Sequence, residues 1–201
     1  MRRPTIVIAL ASAVLTCAAT GLHAQETTKK KAASKEGGAM RKMVMQAGPP
    51  ITRAVAVLHA TKSGGNAAGK VVFTRVEGGV KVVAEVRGLT PGQHGFHIHE
   101  WGDTSSPDAM SAGSHYDPAM TKHHGSPTSD PRHAGDLGNL EANARGVARL
   151  ELVLPNLSFA GPASIIGRGV IVHEKEDNFG QPVGNAGGRV AAGVIGVAKP
   201  E

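Results

Sequence analysis

Gly95-Phe96-His97-Ile98-His99-Glu100 decides how the rest of the chain is read. Successive side chains of a strand leave on opposite faces, so Phe96 and Ile98 share one face and His97 and His99 the other. The first pair suits a packed interior. The second is two imidazoles on a rigid support, half of a transition-metal site. Outward from this strand the histidines thicken. Seven of the ten fall between His94 and His133: His94, His97, His99, His115, His123, His124 and His133. Asp136 closes the series, and His173 follows much later. Imidazoles at this density compete for protons and repel when charged, which a shared metal relieves. His94 has the opposite parity to His97 and His99 and is expected to face the interior side as a structural residue. His59 lies outside the cluster and is read as a strand-end residue.

Short alternating runs surround this stretch. Strands are expected near Ala54–Leu58, Lys70–Val76, Val80–Arg87, His94–His99, Leu137–Glu141 and Val147–Leu154, with another inside Ser164–His173 and a last one over Arg189–Val197. Gly64-Gly65-Asn66, Glu77-Gly78-Gly79 and Thr90-Pro91-Gly92 are turns, and the second makes a hairpin. No helix of useful length and no internal repeat is present in the pattern. Eight short strands with glycine-rich turns define an all-β sandwich or barrel. The long irregular segment Glu100–Asp136 carries function, because compact domains seldom hold such a loop without one.

The amino-terminal quarter has a different character. Arg2 and Arg3, the apolar run Ile6–Ala19 and the small residue Ala24 read as a signal peptide over residues 1–24, which predicts export to the periplasm or the extracellular space. Cys17 is the single cysteine. It can form no intramolecular disulfide, and Leu15-Thr16 before it fits a lipoprotein site poorly. Residues 25–50 are expected to be a disordered basic linker, with Lys29, Lys30, Lys31, Lys35, Arg41 and Lys42 but no apolar period. This tail could brush an anionic envelope surface, although a solvated spacer is the simpler reading. Met40, Met43 and Met45 are close enough to bind Cu(I) through thioethers, although incidental methionines in a flexible tail are the simpler reading. The net charge is +6, yet residues 51–201 contain 14 Lys+Arg and 14 Asp+Glu. That folded part, the domain expected over 51–201, lacks the basic face a nucleic-acid-binding domain needs.

Five motifs then stand in order. They are Gly95-Phe96-His97-Ile98-His99-Glu100, Ser111-Ala112-Gly113-Ser114-His115, Arg132-His133-Ala134-Gly135-Asp136-Leu137-Gly138-Asn139, Val172-His173-Glu174-Lys175 and Gly184-Asn185-Ala186-Gly187-Gly188-Arg189. Together they resemble the copper/zinc superoxide dismutase family over Ala54 to Ala198. The resemblance implies an eight-stranded Greek-key β-barrel, flattened like a sandwich, with a long metal-binding loop. It implies conversion of superoxide to oxygen and hydrogen peroxide by copper redox cycling. His97, His99, His115 and His173 would hold copper. His115, His124, His133 and Asp136 would hold zinc, with His115 bridging the two ions and taking up a proton in turnover. Counting back from His133, His124 matches the family's His-Gly-x-Pro; counting forward from His115, His123 keeps the spacing without an insertion. His124 is the reading taken. Asp177 would accept hydrogen bonds from His97 and His124, and Arg189 would guide the anion beside copper. A homodimer is compatible with the family. A metal-holding or copper-delivery protein on the same fold, without turnover, is the rival reading.

Two departures from the family pattern carry expectations. The positions of its intrasubunit disulfide are occupied by Ala109 and Ala192. Such a cross-link contributes roughly 4–5 kcal/mol in the chain-entropy model, so zinc is expected to hold Glu100–Gly113 in its place. The loop Glu174–Gly188 is short and lacks the usual charged steering residues. Anion guidance is then expected to rest on Arg189 and the metal charge.

Overall fold

The alternation between residues 53 and 87 folds into three strands of one meander. In the computed structural model, which describes residues 48–200, these are β1 (Arg53–Ala60), β2 (Ala68–Val76) and β3 (Gly79–Arg87). On β3 the even positions Val80, Val82, Ala84 and Val86 are buried while their odd neighbours are not. The signal peptide, Cys17, the linker through residue 47 and Met40, Met43 and Met45 lie outside the described residues.

Six further strands follow: β4 (Gly92–His99), β5 (Asp136–Ala142), β6 (Ala148–Leu154), β7 (Gly169–His173), β8 (Arg189–Val194) and β9 (Gly196–Val197). Pairing runs β2-β3-β6-β5-β4-β7-β8-β1. β1 pairs antiparallel with β2 as well as with β8, so the sheet closes on itself. β9 continues the line of β8 past the buried Ile195 and pairs with β1 at Ala54 and Val55. The final expected strand is therefore one strand interrupted at a single residue, and the architecture is the eight-stranded antiparallel Greek-key barrel. β7 takes up only the second half of the Ser164–His173 span. Ser164 through Arg168 instead form a turn, in which Ile165 fills the core and Arg168 N–H bonds back to Ile165 O at 3.1 Å.

The connection from β3 to β4 crosses two strands and sets β4 between β5 and β7. Phe96 and Ile98 enter the core with Phe73, Leu58, Leu137 and Leu140, all fully buried. Burial of such a side chain contributes roughly 1.5–3 kcal/mol, so the strand's inner face fixes the direction of its outer face. His97 and His99 are buried too, beneath the long segment Glu100–Gly135 that folds back over β4. The segment is stitched to the strand by Tyr116 N–H to Ile98 O at 2.9 Å and Ile98 N–H to Gly135 O at 2.8 Å. Only glycine permits this approach at 135, since a Cβ there would lie 2.2 Å from Ile98 O. Within the segment the chain has one 3-10 turn, Met110–Ala112.

Candidate metal centre

His97, His99, His115 and His173 bring ligand-capable atoms within 4.8 Å of one another, and so do His115, His124, His133 and Asp136. His115 belongs to both groups. His97 and His99 come from β4 and His173 from the end of β7, which pairs with β4. His115 is carried to them by an isolated bridge to His99.

Each ring is oriented through one nitrogen. His97 Nε2 donates to Asp177 Oδ2 at 2.8 Å, His99 Nδ1 to Gly113 O at 3.0 Å and His173 Nδ1 to Gly187 O at 3.3 Å. These bonds fix the tautomers and leave His97 Nδ1, His99 Nε2 and His173 Nε2 buried without a hydrogen-bond partner. A buried polar atom without a partner is costly, and three lone pairs converging on one space fit an imidazole-preferring ion such as copper. On the other side, Asp136 Oδ1 lies 2.9 Å from His115 Nδ1, 3.0 Å from His124 Nδ1 and 3.3 Å from His133 Nδ1. His124 Nδ1 is near that oxygen but off its hydrogen-bonding direction, and it too is without a partner. Asp136 Oδ2 is occupied by the N–H groups of Gly125 and His133, both at 3.0 Å. Three imidazole nitrogens around one carboxylate oxygen make the N/O set that tetrahedral zinc takes.

Electrostatics agree with ligation. Burial pushes His115 down to about 4 and His173 to about 3, and depresses His97 and His99 as well. Neutral imidazole is the form that binds metal. His124 differs. Burial again works against its charge, but bonds to Asp136 and Asp177 outweigh it and hold the ring up to about 9. Burial also works against the charge of both carboxylates, yet hydrogen bonds hold both below the ordinary range: those of His115 and His124 for Asp136, those of His124 and His97 for Asp177.

Asp177 links the two groups, accepting from His97 on one side and from His124 Nε2 at 2.8 Å on the other. Gly184, at φ +72°, makes room for it; a Cβ there would lie 2.2 Å from Asp177 Oδ1. Two amide side chains absent from the sequence reading brace the same region. Asn139 donates to Asp177 O at 2.9 Å and accepts from Asp177 N–H at 2.8 Å. Gln181 accepts from His124 N–H at 3.0 Å and donates to His124 O at 2.8 Å. Asn139 lay inside a quoted motif without a role, and Gln181 sits in a loop with no period to mark it. His124 is thus the residue drawn into the centre, while His123 is exposed and belongs to none of the metal-capable groups among the described residues. His94 is buried at the barrel's end, where its ring spans His173 O and Thr90 O, each at 2.8 Å. It is structural, as its parity implied.

Arg189 stands beside the group of His97, His99, His115 and His173. With Met110, Asn185 and Gly188 it lines a cavity of about 220 Å³ that reaches His99, His115 and His173. Its Nη1 donates to Ala109 O at 2.5 Å. The Glu100–Gly113 segment therefore has anchors of its own. Glu100 N–H bonds Ser114 O and Trp101 N–H bonds Ala112 O, both at 2.9 Å, and Lys62 N–H reaches Pro107 O at 2.7 Å. Arg168 packs 4.5 Å from the Tyr116 ring centre and 5.8 Å from that of Trp101. Ala109 and Ala192 pack together with Ala112 and Ile171 in a small apolar cluster where the family's cross-link would run.

The barrel thus carries two adjoining ligand-capable groups that share one imidazole, His115. The family model described as "Copper/zinc superoxide dismutase (SODC)" matches residues 67–195, and the chain belongs to that family. It converts superoxide to oxygen and hydrogen peroxide, with copper and zinc as cofactors. Among relatives, an extracellular Cu-Zn superoxide dismutase of Brugia pahangi is 42% identical over 155 residues, 72% of this chain and 76% of that one. A Cu-Zn superoxide dismutase of Onchocerca volvulus is 42% identical over 158 residues, 73% of this chain and 96% of the relative. A crystal structure of the clock protein EA4 aligns with a TM-score of 0.69 at 43% identity, covering 77% of this chain and all of that one.

Proposed function

We propose that His97, His99, His115 and His173 hold copper, that His115, His124, His133 and Asp136 hold zinc, and that Arg189 guides superoxide to the copper side. The observation that carries this reading is the set of four partnerless buried nitrogens, on His97, His99, His124 and His173, each on a ring already oriented through its other nitrogen. Copper, when bound, supplies the alternating one-electron oxidation and reduction that turns two superoxide ions and two protons into oxygen and hydrogen peroxide. Arg189 supplies a fixed positive charge at the cavity it lines, which draws in and orients a small anion. His115 holds and passes a proton at Nε2, the nitrogen not engaged with Asp136. Asp177 keeps His97 and His124 in ligating orientation. Metal analysis of single variants tests the assignment. His97→Ala is expected to lose copper and keep zinc, His133→Ala the reverse, and His115→Ala to disturb both. Loss of copper alone from His133→Ala would overturn it.

The mature protein is an exported domain of residues 51–201 behind a basic linker, 25–50, and a cleaved leader, 1–24. The leader pattern supports this, as does the name of the extracellular relative. Delivery to a periplasm or to the outside, and contact of the linker with an anionic envelope surface, belong to the same proposal. The domain pairs with a second copy through an apolar patch. Trp101 is 59% exposed, Val57 53% and Val197 60%. Val57 and Val194 line one surface hollow, and the Trp101–Gly102 segment lies against Val194. Apolar surface of this kind marks an interaction site. A Trp101→Glu variant that kept the parent's mass in light scattering would count against the dimer.

A further inference from the structure

Three alternate residues of the short loop after His173 converge on His124. Asp177 takes its ring Nε2, Phe179 covers its ring face, and Gln181 grips its backbone. The Phe179 and His124 ring centres are 6.1 Å apart and the planes are inclined by 28°. Phe179 stands at φ +59°, a left-handed conformation that is a genuine outlier for a bulky residue and persists only when its surroundings impose it. The Gln181 amide forms a two-point contact with His124, donating to the carbonyl and accepting from the N–H. This closes like a backbone pairing, in a segment that has no strand partner. His124 itself sits in an irregular stretch, between Lys122 at φ +57° and the turn at Ser126–Ser129. Nothing in its own local chain holds it as β4 holds His97.

We infer that Gln181, with Phe179, is a positioning residue for zinc: the loop that begins at His173 reaches across and sets the backbone of His124, so that loop order and zinc ligation depend on one another. The inference rests on His124 being a zinc ligand. Gln181 touches neither metal nor substrate in this scheme; it acts through His124. Groups that orient a ligand commonly contribute about ten- to hundred-fold in metal affinity.

The test uses the full-length protein and its Gln181→Ala and Gln181→Glu variants. Zinc affinity is measured by chelator competition, and cobalt(II) in the zinc position reports ligand geometry through its visible absorption. Gln181→Ala is expected to bind zinc about ten- to hundred-fold more weakly, with altered cobalt bands and the thermal midpoint of the metal-free protein close to the parent's. Gln181→Glu keeps an acceptor for His124 N–H and loses the donor to His124 O, so it is expected to fall between the two. Zinc affinity within twofold of the parent with superimposable cobalt bands overturns the inference. So does a lowered metal-free midpoint with unchanged bands, which is the mark of a merely structural residue. His124→Ala is run beside them. If it holds zinc as the parent does, the ligand assignment fails, and that result is separable from any result at Gln181.

Discussion

Arg189 donates from Nη2 to the carbonyl oxygen of Gly113 at 2.6 Å, the oxygen on which His99 Nδ1 also rests at 3.0 Å. One carbonyl thus ties the Arg189 guanidinium to the His99 ring. With Nη1 on Ala109 O, the guanidinium holds both ends of the 3-10 turn while its remaining N–H groups are free to face the cavity. Arg189→Ala is expected to lower the rate of superoxide consumption roughly tenfold or more, by loss of anion steering. Arg189→Lys keeps the charge but not the planar fork. It should retain part of the rate while amide exchange rises across Ala109–Gly113. Rate and exchange changing in parallel in both variants would contradict this division of labour.

Asp177 serves two rings at once. Asp177→Asn leaves one acceptor oxygen where two N–H groups are directed, so zinc affinity is expected to fall about ten- to hundred-fold. Gly184→Ala should reproduce the defect without replacing a polar group, because its methyl would occupy the space of Asp177 Oδ1. Chelator competition on both variants checks this.

Zinc and thiol chemistry separate cleanly. With Cys17 as the only cysteine, a thiol reductant is expected to leave the midpoint of unfolding unchanged. Zinc removal is expected to raise hydrogen exchange chiefly over His115–Asp136, whose ligands lose their common partner. Glu100–Gly113 should loosen less, because Arg189, Arg168 and its backbone bonds remain. Exchange unchanged across both segments after zinc removal would contradict the metal's part in ordering the loop.

Metal-free protein should weaken on acidification. His115 and His173 titrate at about 4 and about 3 in the fold, below the unfolded value of roughly 6.5. Between those limits the unfolded chain binds more protons, so the stability these groups contribute is present above roughly pH 6.5 and is lost as pH falls toward 4. His97 and His99 shift in the same direction. His124 works oppositely, its contribution being lost as pH rises through about 9. Thermal midpoints of metal-free protein are expected to fall from pH 6.5 to pH 4; a flat profile would refute the four neutral imidazoles.

Salt should have a shallow effect on turnover. Arg189 is the one permanently charged side chain lining the cavity, and Lys175, which packs on Gly187 at its edge, is accompanied there by the Glu174 carboxylate. Steering by a single charge is screened less steeply than steering by a field of several. A steep fall in rate constant with ionic strength would show that other charges take part.

The barrel and its ligands were legible because both follow short-range rules. Alternation placed Phe96 and Ile98 inward and His97 and His99 outward, and the glycine turns marked the strand ends. Ile195 was not legible as a break, since an apolar residue between two others carries no sign that it turns into the core. Spacing from His133 favoured His124 and spacing from His115 favoured His123; in the fold His124 is the buried one, held by Gln181 within the ligand-capable group, and His123 is exposed. Gln181, Asn139 and Phe179 act through chain folded around the site, and no local pattern announces such contacts. The expectation that zinc holds Glu100–Gly113 in place of the missing cross-link did not include the two bonds from Arg189 to the segment, which depend on β8 lying beside it.

The closure of the sheet has one more consequence. β1 is paired on both sides, with β2 along one and with β8 and β9 along the other. β1 therefore offers no free row of N–H and C=O groups to another chain, whereas β6, joined to β5 only at Ala142 and Ala148, keeps most of one edge unpaired. The seam at β1 guards one side of the sheet against growth by strand addition, and the open edge of β6 is the place left for a second chain.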